Sequence, residues 1–245
     1  MSTLVAPTAV DGACDVVLEF AVEGERQRSR LDGCFALRFE EVCDPVRNLP
    51  SFRGQRNCPG LWWFSKTRSH VGYESWVERD HVMAFDADPE VTGVVSQPFR
   101  MRWPDGKHHV PDYFVRRRDG TVVVVDVRPD DRISDSDAEM FARTQRACVA
   151  VGWWYRRVGS LDPVLAANFR WLSGYRHPRV FRPGISAELI AAFASQRPLL
   201  VGAKSIGNPV AVLPVLFHLL WHRRLLADLN GSILTERTRV VAAAA

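Results

Sequence analysis

Lysine is nearly missing from this chain: three of its 32 cations are Lys (Lys66, Lys107, Lys204) and the rest are Arg. Guanidinium and ammonium groups do different chemistry, so a site that needs a compact, deprotonatable cation has few candidates. Cysteine is scarce too, with five residues, an odd number, and no Cys-x-x-Cys pair. This excludes a zinc-finger spacing and favours a reduced, cytoplasmic chain. No run approaches about 18 uncharged apolar residues, so a membrane span is not expected. The first residues lack a basic segment ahead of an apolar one, so no secretory signal is expected. There is no internal repeat, and the only low-complexity piece, Ala242–Ala245, reads as a frayed end.

What is present is a folded composition, 245 residues with 47% hydrophobic, enough for one large domain or two small ones. The net charge of +4 names no partner. Its distribution is more informative: residues 151–245 carry 12 basic against 4 acidic side chains, while the remainder leans slightly acidic. A basic C-terminal third suggests a polyanion partner.

Three regions follow from the patterning. Residues 1–65 read as a β-rich extension, with strands at Asp15–Val22 and Cys34–Glu40 joined through a polar, Arg-rich turn. A breaker-rich stretch from Asn48 to Gly60 leads into an extended Leu61–Phe64. Residues 66–160 change period. A helix over Ser75–Asp86 precedes strands at Val91–Trp103, Val110–Arg116 and Thr121–Val127, the last two joined by Asp119-Gly120. A helix over Asp135–Val151 and a strand over Trp153–Val158 complete a helix, three strands, helix, strand order, an α/β domain. Residues 161–245 predict helices at Asp162–Leu172, Ala187–Gln196 (capped by Ser186) and Val210–Trp221, then a hairpin turning at Asn230-Gly231. This suggests a winged-helix-like module; the other reading is a helical cap that shields the sheet.

The residues that carry chemistry lie between Glu74 and Arg128. Pro111-Asp112 stands on one strand and Asp126-Val127-Arg128 closes the next, so an antiparallel pairing brings the two aspartates together at one end of the sheet. Arg128, two residues on, shares the face of Asp126. Converging carboxylates are a hard-oxygen site of the kind Mg²⁺ uses with phosphate substrates. Glu74 and Glu78, one helical turn apart, can complete it. The chemistry would be metal-assisted phosphodiester hydrolysis, helped by a neighbouring cation. The competing reading is a Pro-Asp turn and an in-strand ion pair.

Tyr73-Glu74-Ser75-Trp76-Val77-Glu78, Asp88-Pro89-Glu90-Val91, Gln97-Pro98-Phe99, Pro111-Asp112-Tyr113 and Asp126-Val127-Arg128 occur in that order. This succession resembles the TnsA-like endonuclease subunits of heteromeric transposases, within the PD-(D/E)xK nucleases, over about residues 60–160. The resemblance implies an αβββαβ nuclease core with catalytic Glu78, Asp112, Asp126 and Arg128. Asp112, Asp126 and Glu78 would hold Mg²⁺, with Mn²⁺ as a substitute, and Glu74 and Gln97 would support them. It implies nicking of the non-transferred (5′) strand at transposon ends. The implied partners are DNA, a DDE-type transposase and an AAA+ ATPase regulator bound through the C-terminal region, with no membrane. The family carries Lys where this chain has Arg128. Either Arg128 acts as an electrostatic stabiliser, or Lys107 or Lys66 enters the site, or the subunit is catalytically weak. The alternatives to the transposase reading are a stand-alone restriction- or repair-type nuclease and a nuclease-derived assembly factor.

Other candidates are less specific. Adjacent His108 and His109 point to opposite faces of a strand, so structural or phosphate-contacting use is the stronger reading. Trp153-Trp154-Tyr155 reads as a buried strand before a base-stacking platform. Arg116, Arg117 and Arg118 at a hairpin tip, and Arg223 and Arg224 beside the proposed hairpin, are candidate DNA contacts.

Overall fold

The computed structural model describes residues 15–46 and 58–244. Most of the breaker-rich stretch after Asn48 lies outside them. Contacts divide the chain into two compact units, 1–82 with 90–160, and 83–89 with 161–245. The chain is mixed α/β, and among the described residues no helix is long and apolar enough to cross a membrane.

In the first unit, β1 (Val17–Val22) and β2 (Glu25–Arg30) form a hairpin. Its two-residue turn has Glu23 and Gly24 both at positive φ, 52° and 80°, the conformation that matches strand twist. The Arg-rich segment expected to be a turn is therefore a strand. Its polar sequence hid this, because one edge strand facing solvent needs no apolar alternation. The expected strand at Cys34–Glu40 is absent. A turn follows Leu31–Gly33, and Phe39 starts the short helix α1 (Phe39–Val42) before β3 (Cys43–Asp44). Phe39 is fully buried, which is what its apolar character was for. A hairpin of β4 (Gly60–Phe64) and β5 (Ser69–Tyr73) leads to α2 (Trp76–Ala87).

The expected strand Val91–Trp103 is two strands in two sheets. β6 (Val91–Ser96) ends at Gln97-Pro98, and β7 (Arg100–Arg102) crosses to pair with β1. Pro98 cannot donate to a ladder and Gln97 is held at φ +47°, so the chain leaves the sheet there. After β8 (His108–His109) come β9 (Tyr113–Arg117) and β10 (Val122–Val127), joined through Gly120 at φ +85°. Ser134 caps α3 (Asp135–Ala150) in a capping box with Asp137, and β11 (Trp154–Val158) lies parallel to β10. The central sheet has the order β11-β10-β9-β6 and the N-terminal one β2-β1-β7-β8, with β3 also on β1. β10 is buried at every position, which explains its unbroken apolar run. Phe39, Phe99, Phe114 and Trp153 form one aromatic cluster, with ring centroids 5.0–6.3 Å apart. The N-terminal strands share this core and do not stand apart as a separate unit.

The second unit contains α4 (Pro163–Ser173), α5 (Pro183–Ala192), β12 (Arg197–Pro198), α6 (Leu199–Ile206), α7 (Pro209–Trp221), β13 (Leu225–Leu226) and β14 (Arg239–Ala242). The strand order is β12-β14-β13. Ser186 is not a cap: α5 starts at Pro183, whose fixed φ suits the first helical position, and Ser186 is buried inside the helix. Asn230-Gly231 is not the hairpin turn either. Asp228 Oδ1 accepts from both their N–H groups, and the return strand is the later β14. Buried Asn168 pins that long connection, donating to the carbonyls of Leu229 and Ser232 and accepting from Leu234 N–H. Ala242 belongs to β14, so the alanine run begins in the sheet and not in a frayed end.

Candidate functional site: a carboxylate cleft

The β9–β10 register pairs Tyr113 with Val125, so Asp112 and Asp126 stand one step further along, at the same end of the central sheet. Asp112 Oδ2 accepts from the N–H of Val127 at 2.7 Å, tying the two strand ends. A cleft of about 290 Å³ opens there, lined by Glu74, Glu78, His109, Asp112, Asp126 and Arg128 among others. Burial first, then the charges of Asp126 and Glu78, hold the Asp112 carboxyl well above the usual carboxylate range, while the Val127 hydrogen bond acts in the opposite sense.

Asp126 is nearly fully buried, and both of its oxygens have hydrogen-bond partners. Tyr155 Oη donates to its Oδ2 at 2.7 Å, and His109 Nε2 lies 2.8 Å from Oδ2 and 3.0 Å from Oδ1. Burial and the adjacent Asp126 raise the Tyr155 phenol above its ordinary value, so it stays a donor. Neither group stands out by its spacing in the sequence. The pleat gives the signal: His109 and His108 face opposite ways, and His109 takes the inward side.

Glu78 sits in the first turn of α2, where its carboxylate closes the helix start. Its Oε2 accepts from Glu74 N–H at 2.7 Å and its Oε1 from Ser75 Oγ at 2.8 Å, while Ser75 Oγ accepts from Glu78 N–H. Glu74 accepts from Gln97 Nε2 at 2.6 Å, so two motifs 23 residues apart meet. Gln97 is buried and at positive φ, its N–H donates to the Asp112 carbonyl, and its side-chain Oε1 has no hydrogen-bond partner. Left-handed backbone at a non-glycine residue costs about 1–3 kcal/mol, which the surrounding contacts must offset.

Arg128 lines the cleft but its guanidinium faces α3. It pairs with Asp137 at 3.2 Å and donates to the Arg132 carbonyl. Lys107 is held by Glu139 at 2.8 Å, and neither it nor Lys66 lines the cleft. The remaining candidates are distributed elsewhere. Arg116 is half-buried against Glu40, the Leu37 carbonyl and the Phe114 ring. Arg118 is exposed beside Glu90, and Arg117 follows Arg116 on β9. Arg223, at φ +56°, and exposed Arg224 follow α7 in the second unit. Trp153 belongs to the core, not to a stacking platform.

Asp112, Asp126 and Glu78 place three acidic side chains along the same cleft. Among the described residues no group of three or more His, Cys, Asp or Glu side chains is arranged to hold a metal ion. Mg²⁺ is commonly held by one or two carboxylates together with phosphate oxygens and water, and Asp112 with Asp126 supplies that number. The chain matches no protein-family model and no curated protein.

Proposed function

We propose that this chain is a metal-dependent DNA endonuclease, and that the cleft between Asp112 and Asp126 hydrolyses a phosphodiester bond. One observation carries the reading: Asp112 and Asp126 meet at one end of the paired strands, on the wall of a cleft they share with Glu78. The helix, three-strand, helix, strand order around it fits a PD-(D/E)xK core, although β7 and β8 are inserted between the first and second of those strands.

In this reading Asp112 and Asp126 hold Mg²⁺, or Mn²⁺ in its place. Held there, the cation would supply positive charge against the phosphoryl oxygens and lower the pKa of a water. The chain's own residues do the positioning. His109 and Tyr155 orient Asp126, the Val127 N–H orients Asp112, and the Ser75–Glu78 cap fixes the helix entering the cleft. Arg128 contributes positive charge at the cleft wall, where a charge-assisted contact to phosphate replaces its contact with Asp137.

The motif succession from Tyr73 to Arg128 extends the proposal to a TnsA-like subunit that nicks the 5′ strand at transposon ends. It would act beside a DDE-type transposase and an AAA+ ATPase. The order α5-β12-α6-α7-β13-β14 fits a winged-helix module that meets DNA or a partner. A second reading, an assembly factor derived from a nuclease, has one observation in its favour: the Arg128 guanidinium pairs with Asp137.

Labelled DNA carrying a transposon end, incubated with Mg²⁺ and with or without the transposase, separates these readings. A nick made by the wild type and lost in Asp112→Ala is expected. Sequence-specific cleavage by the chain alone supports the restriction-type alternative. Partner binding with no Asp112-dependent nick in any condition leaves the assembly factor.

A further inference from the structure

The N-terminal sheet carries a feature the carboxylate cleft does not use. Leu18 and Phe20 of β1 are buried, so Val17, Glu19 and Ala21 face outward. The registers put Arg28 and Arg100 on either side of Glu19, Arg30 and Arg102 on either side of Val17, and Arg26 beside Ala21. Five guanidinium groups therefore share one sheet face with two carboxylates, Glu19 and Asp44, the latter opposite Ala21 on β3 and accepting from the N–H of Gly24. Like charges on one face of paired strands repel, so this face is arranged at a cost to the fold.

Little within the protein offsets that repulsion. Glu19 pairs with Arg102 at 2.7 Å, and Arg30 pairs with Asp32 at 2.9 Å and Asp15 at 3.7 Å. Arg26, Arg28 and Arg100 form no ion pair among the described residues, and the buried Nε of Arg100 has no hydrogen-bond partner. These three border a recess of about 390 Å³ that also touches Glu19 and Arg102. Its donors await an acceptor.

We propose that this recess and the surrounding face of β2-β1-β7 form a second nucleic-acid site, which holds the phosphodiester backbone of duplex DNA through Arg26, Arg28 and Arg100. Guanidinium is the better group for this than ammonium, since its planar fork matches two phosphate oxygens. Side chains two residues apart on β2 are about 6.8 Å apart, and those flanking β1 are about 9.6 Å apart. The array is thus extended in two directions and suits a chain of phosphates more than one small anion. It contains no base-reading element, so it adds affinity and register without sequence preference. The choice of DNA rests on the nuclease reading; the binding itself needs no hydrolysis.

The test is fluorescence anisotropy of a labelled 30-bp duplex with the full chain in EDTA, over 50–200 mM NaCl. The variant is Arg26→Gln/Arg28→Gln/Arg100→Gln, with Arg223→Gln/Arg224→Gln as a comparison in the other unit. Three lost phosphate contacts flatten the slope of log affinity against log salt by about 2–3 and weaken low-salt binding at least about tenfold. Should replacing Arg100 unfold the chain, the exposed pair Arg26→Glu/Arg28→Glu produces the same direction of change. An unchanged slope and affinity in folded variants overturns the proposal. So does displacement of the duplex by polyglutamate as effectively as by unlabelled DNA, which would make the face a site for acidic protein. Salt-dependent binding through these arginines with no Asp112-dependent nick leaves this site standing and removes the nuclease. Nicking with unaltered binding in the triple variant does the reverse.

Discussion

His109 Nε2 lies 2.8 Å from Asp126 Oδ2 on the wall of the carboxylate cleft, with Tyr155 Oη on the same oxygen at 2.7 Å. The carboxylate is thereby fixed from β8 on one side and β11 on the other, so its remaining lone pairs face a constant direction. Partners behind a ligating carboxylate typically alter metal affinity or activity 10–100-fold when removed. His109→Ala and Tyr155→Phe should each raise the Mg²⁺ concentration needed for half-maximal nicking by about that factor. A Mg²⁺ titration of cleavage checks this, and an unchanged midpoint in both variants would remove them from the site.

Asp112 gives a prediction in which stability and activity move in opposite directions. Its carboxyl is raised by burial and by Asp126 and Glu78. A raised carboxyl favours the fold while protonated, and this contribution is complete below the unfolded pKa and lost as pH rises through the folded one. At neutral pH in EDTA, Asp112→Asn should therefore melt higher than the wild type, by about 2–4 °C for each kcal/mol of repulsion removed. The difference should shrink as the pH is lowered. Nicking should disappear, and Mg²⁺ should raise the melting temperature of the wild type alone. Calorimetry across pH, with and without Mg²⁺, checks all three.

For Arg128 the exposed pair with Asp137 contributes about 0–1 kcal/mol to stability. Removing a group that stabilises developing charge lowers turnover about 10²–10³-fold. Arg128→Ala should accordingly leave the melting curve nearly unchanged and reduce Mg²⁺-dependent nicking by that factor. Full nicking by this variant, with Asp112→Ala inactive, would assign Arg128 to holding α3 alone.

Gly202 on α6 faces the ring of Phe193, and a Cβ there would lie within 3.0 Å of three ring atoms. Phe193 is fully buried, so the ring can move only by shifting its core neighbours. Gly202→Ala should destabilise the second unit by about 1–3 kcal/mol, seen in chemical denaturation. Gly184→Ala, where a Cβ would meet nothing, is the comparison and should be close to neutral.

The central α/β elements were legible because each has strong local grounds. Helix α3 has a serine cap and a 3.6-residue apolar period, β10 is an unbroken buried run, and Asp119-Gly120 makes its own turn. The N-terminal region was harder to read because its signals are tertiary. Glu25–Arg30 is wholly polar and becomes a strand by pairing with β1, while Phe39 is apolar but sits on a helical turn under the aromatic cluster. Asn230-Gly231 carries the sequence pattern of a hairpin. Asp228 and Asn168 instead bind the backbone around it, so local propensity gives way to side-chain capture.

By itself the sequence determined that two aspartates, fourteen residues apart across a tight turn, stand at one end of a strand pair, because pleat and register are local rules. It also determined that Arg, not Lys, follows them. Only the tertiary structure decided what surrounds those groups: His109 and Tyr155 on Asp126, Gln97 on Glu74, Asp137 on Arg128. The arginine face belongs to the same class, since β2 and β7 are some seventy residues apart in sequence and meet only across β1. Hydrogen bonds and charge interactions depend on distance in space, and spacing along a chain does not encode that distance once strands from separate hairpins enter one sheet.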